Sequence, residues 1–359
     1  KIRNNLVEIN EDGSFILNQE YFNYATGLTM VKERKWESLF GFSKRKVNAE
    51  INQEYKDLAF AIQQVTEEIV INLCKEVKKI TDAPYLCVAG GVGLNGVAMG
   101  KVDKLQIFED VFVQPAAGDA GGALGAAYAA NHIYYDQPRN ITGSDGLKAC
   151  YLGPQYTNDD ILKTARRNNA HYEIIEEENI LLSRVAKLIA EGKVIGWFQG
   201  RMEFGPRALG SRSILADARD PGMQKKLNLA IKFREGFRPF APIVAIENVT
   251  EYFEQEKPSP YMMFVKPVVD SRKCELPSVT HVDGTARLQT IHKETNPLLW
   301  KLLNEFQLQT GCHVIINTSF NVKDEPIVNT PEEAYNCFMR TDMDHLVAGN
   351  FIFSKNPIR

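Results

Sequence analysis

The sequence predicts an α/β protein of two domains, and three features carry that expectation. From Leu58 an apolar series runs Leu58, Ile62, Val65, Ile69, Leu73, Val77, Ile80 in steps of three and four, one face of a long amphipathic helix. Two short apolar runs, Tyr85-Leu86-Cys87-Val88-Ala89 after Pro84 and Val111-Phe112-Val113, read as strands that each open onto a glycine-rich turn. Between Tyr134 and Pro154 the periodicity lapses, and Pro138, Gly143, Ser144, Gly146, Gly153 and Pro154 collect, so a linker is expected there. The expected division is residues 1–140, a linker at 141–154, and a second domain at 155–359.

The remaining elements follow in order. A small-residue helix is expected from Gly121. Beyond the linker, Thr157-Asn158-Asp159-Asp160 supplies a capping hydroxyl and early acids for a helix start. A helix over about Ile180–Glu191 stops at Gly192, and the strand Val194–Phe198 follows. His313–Asn317 reads as a buried strand. Thr330-Pro331-Glu332-Glu333 is a capped helix start with Pro at its first position. There are no internal repeats and no low-complexity tracts.

The composition is that of a globular protein: 359 residues, 44% hydrophobic and 24% charged, enough chain for two cores. No apolar run approaches the roughly 18 residues of a membrane span. The opening Lys1–Asn5 has neither an initiator Met nor an apolar stretch, the start expected of a processed product or a cloned fragment. Cys74, Cys87, Cys150, Cys274, Cys312 and Cys337 form no CxxC, which suits a reducing cytoplasm, and the six histidines form no HxxH or HExxH. The net charge of −3 hides a local excess. Between Arg201 and Arg238 nine Lys or Arg stand against four acids, interleaved with Gly, Pro and Phe. That predicts an anionic ligand; a solvated basic face is the alternative.

Three segments carry the chemistry. In Ala89-Gly90-Gly91-Val92-Gly93-Leu94-Asn95-Gly96 the glycines satisfy GxGxxG after a strand. The preceding long helix and the lack of a ribose-binding acid argue against a dinucleotide site, and a plain tight strand exit remains open. In Pro115–Ala126 the small residues around Gly118, Gly121 and Gly122 let backbone N–H groups approach a phosphate at a helix start. Asp119 there either caps the helix or ligates a cation. Two such turns on adjacent strands resemble the actin/hexokinase-like nucleotide-binding fold, in which one turn contacts adenosine and the other phosphate or metal.

The third segment is Gly200-Arg201-Met202-Glu203-Phe204-Gly205-Pro206-Arg207-Ala208-Leu209-Gly210 with Arg212–Asp217 behind it. Lys232-Phe233-Arg234-Glu235-Gly236-Phe237-Arg238-Pro239-Phe240 follows, then His281-Val282-Asp283-Gly284-Thr285-Ala286-Arg287 and Asn317-Thr318-Ser319-Phe320-Asn321. An Arg in a Gly/Pro-fixed turn presents its guanidinium fork for bidentate contact with phosphate or carboxylate. If extended, Lys232-x-Arg234 puts two cations on one face, and Ser319-x-Asn321 does so for a hydroxyl and an amide. Glu203 is expected either to hold Arg201 or Arg207 or to form a surface ion pair. The phenylalanines 204, 233, 237 and 240 are read as core anchors.

These strings resemble the NodU/CmcH O-carbamoyltransferases over nearly the whole chain. The Lys-x-Arg and Ser-x-Asn pairs are similar to those of YrdC-like domains. The resemblance implies the second half of an actin/hexokinase-like (ASKHA) transfer domain followed by a YrdC-like α/β domain that forms carbamoyl adenylate. It implies that Arg207, Lys232, Arg287 and Ser319 bind carbamoyl phosphate, with Arg234 and Asn321 turned towards ATP and Arg201, Arg238, Asn317 and Thr318 nearby. Gly90, Gly91, Asn95, Gly118, Gly121 and Gly122 would serve a nucleotide in the actin-like half. Mg²⁺ is expected with ATP.

The family's first half, with a histidine pair that joins Asp119 around Fe²⁺, is not in this sequence. The chain is therefore expected to bind ATP and carbamoyl phosphate without completing transfer to a small hydroxyl acceptor. No membrane and no DNA partner is expected, and a homodimer is left open. The competing readings are an RNA-binding YrdC-like module, a protein related to tRNA threonylcarbamoylation, and an NAD enzyme built on the GxGxxG match.

Overall fold

A computed structural model describes residues 1–46, 49–141 and 145–357, so Gly143 and Ser144 of the expected linker lie outside the described residues. The chain forms two compact units, one of residues 1–88 and 97–112, the other of residues 89–96 and 113–359.

In the first unit β1 (Val7–Ile9) and β2 (Phe15–Leu17) make an antiparallel hairpin. A short helix, α1 (Glu33–Phe40), precedes α2 (Gln53–Thr81), the long helix that the apolar series predicts. Asn52 caps α2 by accepting from Tyr55 N, and Asp82 ends it in a left-handed conformation. The paired strands β3 (Tyr85–Val88) and β4 (Asp110–Val113) and the nine-residue α3 (Gly96–Lys104) complete the αβ pattern.

The second unit is built on one eight-stranded sheet. Its helices and strands run α4 (Asp119–Ala129), α5 (Asn158–Arg167), β5 (His171–Ile174), α6 (Glu178–Ala190), β6 (Ile195–Phe198) and β7 (Arg212–Asp217). They continue with α7 (Met223–Lys226), β8 (Ala241–Ala245), α8 (Val249–Tyr252), β9 (Val265–Pro267), β10 (Thr285–Arg287) and β11 (Gln289–Ile291). The last five are α9 (Pro297–Thr310), β12 (Val314–Ser319), α10 (Pro331–Met339), β13 (His345–Ala348) and β14 (Phe351–Ser354). The sheet order is β11-β8-β12-β7-β6-β13-β14-β5, with β11/β8 and β13/β6 parallel and the other pairs antiparallel. Strands β6, β7 and β8 are buried at every position, as strands covered on both faces must be. The capped helix starts expected at Thr157 and Thr330 form, and the structure shows each to be a full capping box, with Asp160 and Glu333.

Two expectations shift. α4 starts at Asp119, not Gly121. The Lys232-x-Arg234 segment is a turn rather than an extended strand. Lys232 ends a widened helical turn over Leu227–Ile231 with helical dihedrals, and Phe233 takes the left-handed region at φ 51°. Likewise Ser319 is the last residue of β12, and Asn321 lies beyond it in a bend.

Candidate active site

The loop before β7 has no regular structure, so its backbone groups need partners from side chains. Buried Glu203 supplies three: its Oε1 accepts from Leu209 N at 2.7 Å, Ser211 N at 2.7 Å and Arg212 N at 3.3 Å. Tyr151 Oη (2.7 Å) and Gln289 Nε2 (2.8 Å) donate to Leu209 O, Asn317 Nδ2 donates to Ala208 O, and Trp197 Nε1 donates to Gly210 O. Gly205, at φ 117°, presses on the turn Pro115-Ala116, where a Cβ would sit 3.3 Å from the Ala116 side chain. The loop that presents Arg207 is thus held from several sides.

Residues 150–154 contribute to this hold. Cys150 O accepts from Phe204 N, Gly153 N donates to Met202 O, and Pro154 O accepts from Met202 N and from Arg212 Nη2. Arg212 itself is fully buried, stacked 3.6 Å over the Phe198 ring, and donates to Gln199 O and Gly200 O.

Glu203 therefore neither pairs with Arg201 or Arg207 nor lies at the surface, contrary to both sequence expectations. Burial pushes its carboxyl up, against the pull of the amides it accepts from. Replacing Glu203 by Ala should cost about 3 kcal/mol, since three buried N–H groups lose their acceptor. Glu203→Gln, which keeps a carbonyl oxygen, should cost less than half of that. Urea denaturation midpoints of the two variants check the difference.

Lys232 is 2% exposed and its ammonium reaches the end of β12. It donates to Ser319 O, to Ser319 Oγ (3.1 Å), to Asn321 O (3.0 Å) and to Asn321 Oδ1 (2.8 Å). Ser319 Oγ donates to Asn321 Oδ1 at 2.7 Å, and Asn321 Nδ2 donates to Glu325 O. Arg234 is positioned by a buried asparagine: its Nε donates to Asn228 Oδ1 at 2.7 Å, while Asn228 Nδ2 donates to Arg238 O and Gly236 O. Arg234 also stands 5.0 Å over the Phe240 ring.

The electrostatics tie these cations together. Burial first, then repulsion from Arg234, pushes Lys232 down to about 7. Burial, then Arg207 and Arg234, pushes Arg287 down to about 9. Burial lowers Arg207, and burial with Arg238 lowers Arg234. Among the described residues none of Arg207, Lys232, Arg234 and Arg287 has a carboxylate within 4.0 Å, although the surface carries many such pairs. A cluster of under-compensated cations is costly unless an anion joins it.

The first glycine turn closes on the same cluster. Arg207 Nη2 donates to Leu94 O at 2.9 Å, and a Cβ on Gly96 would lie 3.8 Å from Arg287 Cδ and 3.4 Å from Met263 O. Gly90 N donates to Ala117 O, joining the two glycine turns. Gly90 and Gly91 are exposed and Asn95 half-buried. Gly121 is required, since a Cβ there would stand 2.2 Å from Ala116 O, whereas Gly122 faces open space and Gly118 has only Leu94 Cδ1 at 4.0 Å.

The other expected residues stand further off. Arg238 is exposed and paired with Glu235 at 2.9 Å, and Arg201 is exposed with one long contact, 3.5 Å, to Leu152 O. Asn317 lies buried beneath the Arg207 loop and bonds Gln289 Oε1 at 2.8 Å. By strand alternation Thr318 faces away from Asn317 and Ser319. Asp119 is exposed in the first turn of α4 and makes no capping bond. No group of three or more His, Cys, Asp or Glu side chains among the described residues could hold a metal ion. Phe240 is buried, but Phe233 and Phe237 are 52% and 66% exposed, so those two are not core anchors.

Sequence reasoning missed Asn228, Gln289, Tyr151 and Trp197, the residues that hold the site. A polar side chain inside an apolar run, as in Leu227-Asn228-Leu229, was the available signal for Asn228.

With its acidity raised, Lys232 carries full charge only below about pH 7. A bound anion favours the charged form, so anion affinity should fall as pH rises through 7, and binding at pH 8 should take up a proton. Sulfate, which does not titrate in this range, is a suitable probe. Calorimetry in buffers of different ionisation enthalpy should show that uptake, and Lys232→Met should abolish it.

A fixed arginine loop, a buried lysine at a strand end and a cluster of coupled cations beside the glycine turns define a class of site suited to an anion. The chain belongs to the carbamoyltransferase family. The family's N-terminal model matches residues 1–128 and its C-terminal model residues 186–355. An uncharacterised protein of Synechocystis is 46% identical over 99% of this chain and 61% of its own length. Nodulation protein NolNO of Sinorhizobium fredii is 42% identical over 87% of this chain and 46% of its own. The 3'-hydroxymethylcephem-O-carbamoyltransferase of Streptomyces clavuligerus is 31% identical over 84% and 55%. The chain thus spans about half to three fifths of the length of these relatives. Among solved structures, full-length HypF matches with a TM-score of 0.36 and 21% identity over 50% of this chain and 26% of that one, too slight a likeness to fix the fold.

Proposed function

We propose that this chain is the carbamoyl-activating part of an O-carbamoyltransferase. It would convert carbamoyl phosphate, water and ATP to carbamoyl-AMP, pyrophosphate and phosphate. The observation that carries the reading is the electrostatic coupling of Arg287 to Arg207 and Arg234, and of Arg234 to Lys232, whose ammonium is bonded to Ser319 and Asn321, with no ion pair to any of the four among the described residues. Carbamoyl phosphate and the ATP triphosphate repel each other, and such a cluster is what lets them approach. Arg207 and Arg287 would clamp the carbamoyl phosphate, Lys232 and Ser319 its reacting end, and Arg234 and Asn321 the ATP phosphates. Carbamate released from carbamoyl phosphate would attack the α-phosphorus. Positioning and charge would supply most of the rate, as in other phosphoryl chemistry.

In this reading residues 1–140 form the second half of an actin/hexokinase-like transfer domain and residues 155–359 a YrdC-like domain. Mg²⁺ would accompany ATP, and a small hydroxyl compound would accept the carbamoyl group. Among the described residues Asp119 has no companion ligands that fit iron. Pyrophosphate release from ATP by the purified chain, with and without carbamoyl phosphate, tests the reading. Release that depends on carbamoyl phosphate supports it, and silence from folded protein would overturn it.

The RNA-binding alternative is favoured by one observation, the exposed rings of Phe233 and Phe237 beside Arg234 and Arg238, which suit base stacking. A salt-dependent shift of RNA weakened by Lys225 and Lys226 changes, but indifferent to Ser319→Ala, would support it.

A further inference from the structure

We propose that His281 is the proton acceptor for the breakdown of carbamoyl phosphate, held in one tautomer by a relay through Thr285 to Asp283. The inference deepens the carbamoyl-activation reading and rests on it.

The geometry is local and specific. Thr285 Oγ1 donates to Asp283 Oδ1 at 2.6 Å and lies 3.0 Å from His281 Nδ1. A hydroxyl has one proton, and here it goes to the carboxylate. The threonine oxygen can then only accept from the imidazole, so Nδ1 carries the ring proton and Nε2 is left with its lone pair. The backbone keeps this arrangement in place: His281 N donates to Thr285 O, Gly284 N to His281 O, and Thr285 N to Asp283 Oδ1.

The relay stands beside the cation cluster. Thr285 and Arg287 are alternate residues of β10 and so share one face of it. His281, in contact with Thr285, is therefore Arg287's neighbour, and the charged groups that act on it are Asp283 and Arg287. Burial first, and then Arg287, lower the imidazole's basicity, while Asp283 works against them.

In the step proposed, the oxygen of water bonds to the carbonyl carbon of carbamoyl phosphate. The bond from that carbon to the bridging phosphate oxygen breaks, and its electron pair leaves with the phosphate. Of the two protons of water, one passes to His281 Nε2 and the other departs on the phosphate. Carbamate and hydrogen phosphate result, and nothing is oxidised or reduced. Arg287 beside the base stabilises the departing phosphate.

The test measures phosphate release from carbamoyl phosphate, in the presence of ATP, as a function of pH. For the wild-type chain kcat should rise with pH along a single acid limb. H281N keeps a donor to Thr285 but has no basic nitrogen. Its kcat should fall about 100-fold with KM little changed, and the acid limb should vanish. D283N removes the charge that sustains the imidazole's basicity, so its limb should move to lower pH. Thermal melts identify any variant that fails to fold, and H281Q, read in the same way, replaces H281N if that variant does. A folded H281N or H281Q with kcat within threefold of wild type, or a D283N limb that does not move, overturns the assignment. A wild-type chain that releases no phosphate overturns the underlying reading with it, and so separates the two failures.

Discussion

Arg287→Met should raise the melting temperature of this protein while removing the carbamoyl activation proposed for it. Arg287 is lowered to about 9 by burial and by the fields of Arg207 and Arg234, with no carboxylate to offset them. Its charge therefore works against the folded state in the absence of ligand. Because the residue keeps part of its surface open, solvent screens some of that cost, and a gain of about 1 kcal/mol is expected. For a unit of this size that is roughly 2–4 °C. Carbamoyl-phosphate-dependent pyrophosphate release should fall by about 10²–10³-fold, the usual effect of removing one donor from a charge-stabilising site. Calorimetric melting and the release assay on the same preparation check both signs. A variant that is both inactive and less stable would show Arg287 to be a structural residue.

Lys232→Met should lose the same activity and move stability the other way. Lys232 is also buried and also pressed by Arg234, but its ammonium serves Ser319 O, Ser319 Oγ, Asn321 O and Asn321 Oδ1. Ser319 O keeps Asn321 N and Asn321 Oδ1 keeps Ser319 Oγ, but Asn321 O loses its donor and Ser319 Oγ a partner. An unsatisfied acceptor costs about 1–3 kcal/mol, so a net loss of about 1 kcal/mol is expected. The melting temperature should fall by about 2–4 °C. The charge of Lys232 is a burden at low pH. Its folded value lies below the unfolded 10.5, so the penalty is whole below about 7 and fades as pH rises towards 10.5. The stability gap between wild type and Lys232→Met should therefore widen with pH over that range. Opposite stability effects from two cations that both neighbour Arg234 separate ligand binding from structural support.

How far the sequence reveals this site follows from which interactions are local. α2 is legible because its apolar steps repeat over seven residues spaced from Leu58 to Ile80. The helix starts at Thr157 and Thr330 are legible because a capping box is written within four residues. The convergence of distant cations is legible only as an excess of charge beside fixed turns. The conformation of Lys232-x-Arg234 is not legible. The left-handed Phe233 between them is flanked by a local bond, Arg234 N to Asn228 O, and by a distant one, Lys323 N to Lys232 O, which no local pattern encodes. Glu203 misleads for the same reason: a carboxylate among arginines reads as an ion-pair partner, yet the nearest unmet need is three loop amides. The hold on Leu209 O from Tyr151 and Gln289 spans 58 and 80 residues and is visible only in three dimensions.

The first glycine turn shows how location changes a motif's meaning. Its match to a dinucleotide fingerprint invites a phosphate on the backbone, but the fold sets Leu94 O against Arg207 and Gly96 against Arg287. A Cβ at Gly96 would meet Met263 O at 3.4 Å and Arg287 Cδ at 3.8 Å, ordinary contact distances, so the turn packs directly against the stem of Arg287. In this protein the turn is a neighbour of the cation cluster, and Arg207 has a backbone partner in the absence of ligand.

Adenylate formation is reversible, so radioactive pyrophosphate returns to ATP only if carbamate has bonded to the α-phosphorus. The isotope-exchange measurement with this chain therefore tests the central claim most directly. Label should enter ATP when carbamoyl phosphate is present, and should stay out without it or with Arg287→Met. Label that enters ATP at the same rate with and without carbamoyl phosphate, or never enters it with folded protein, would contradict the account.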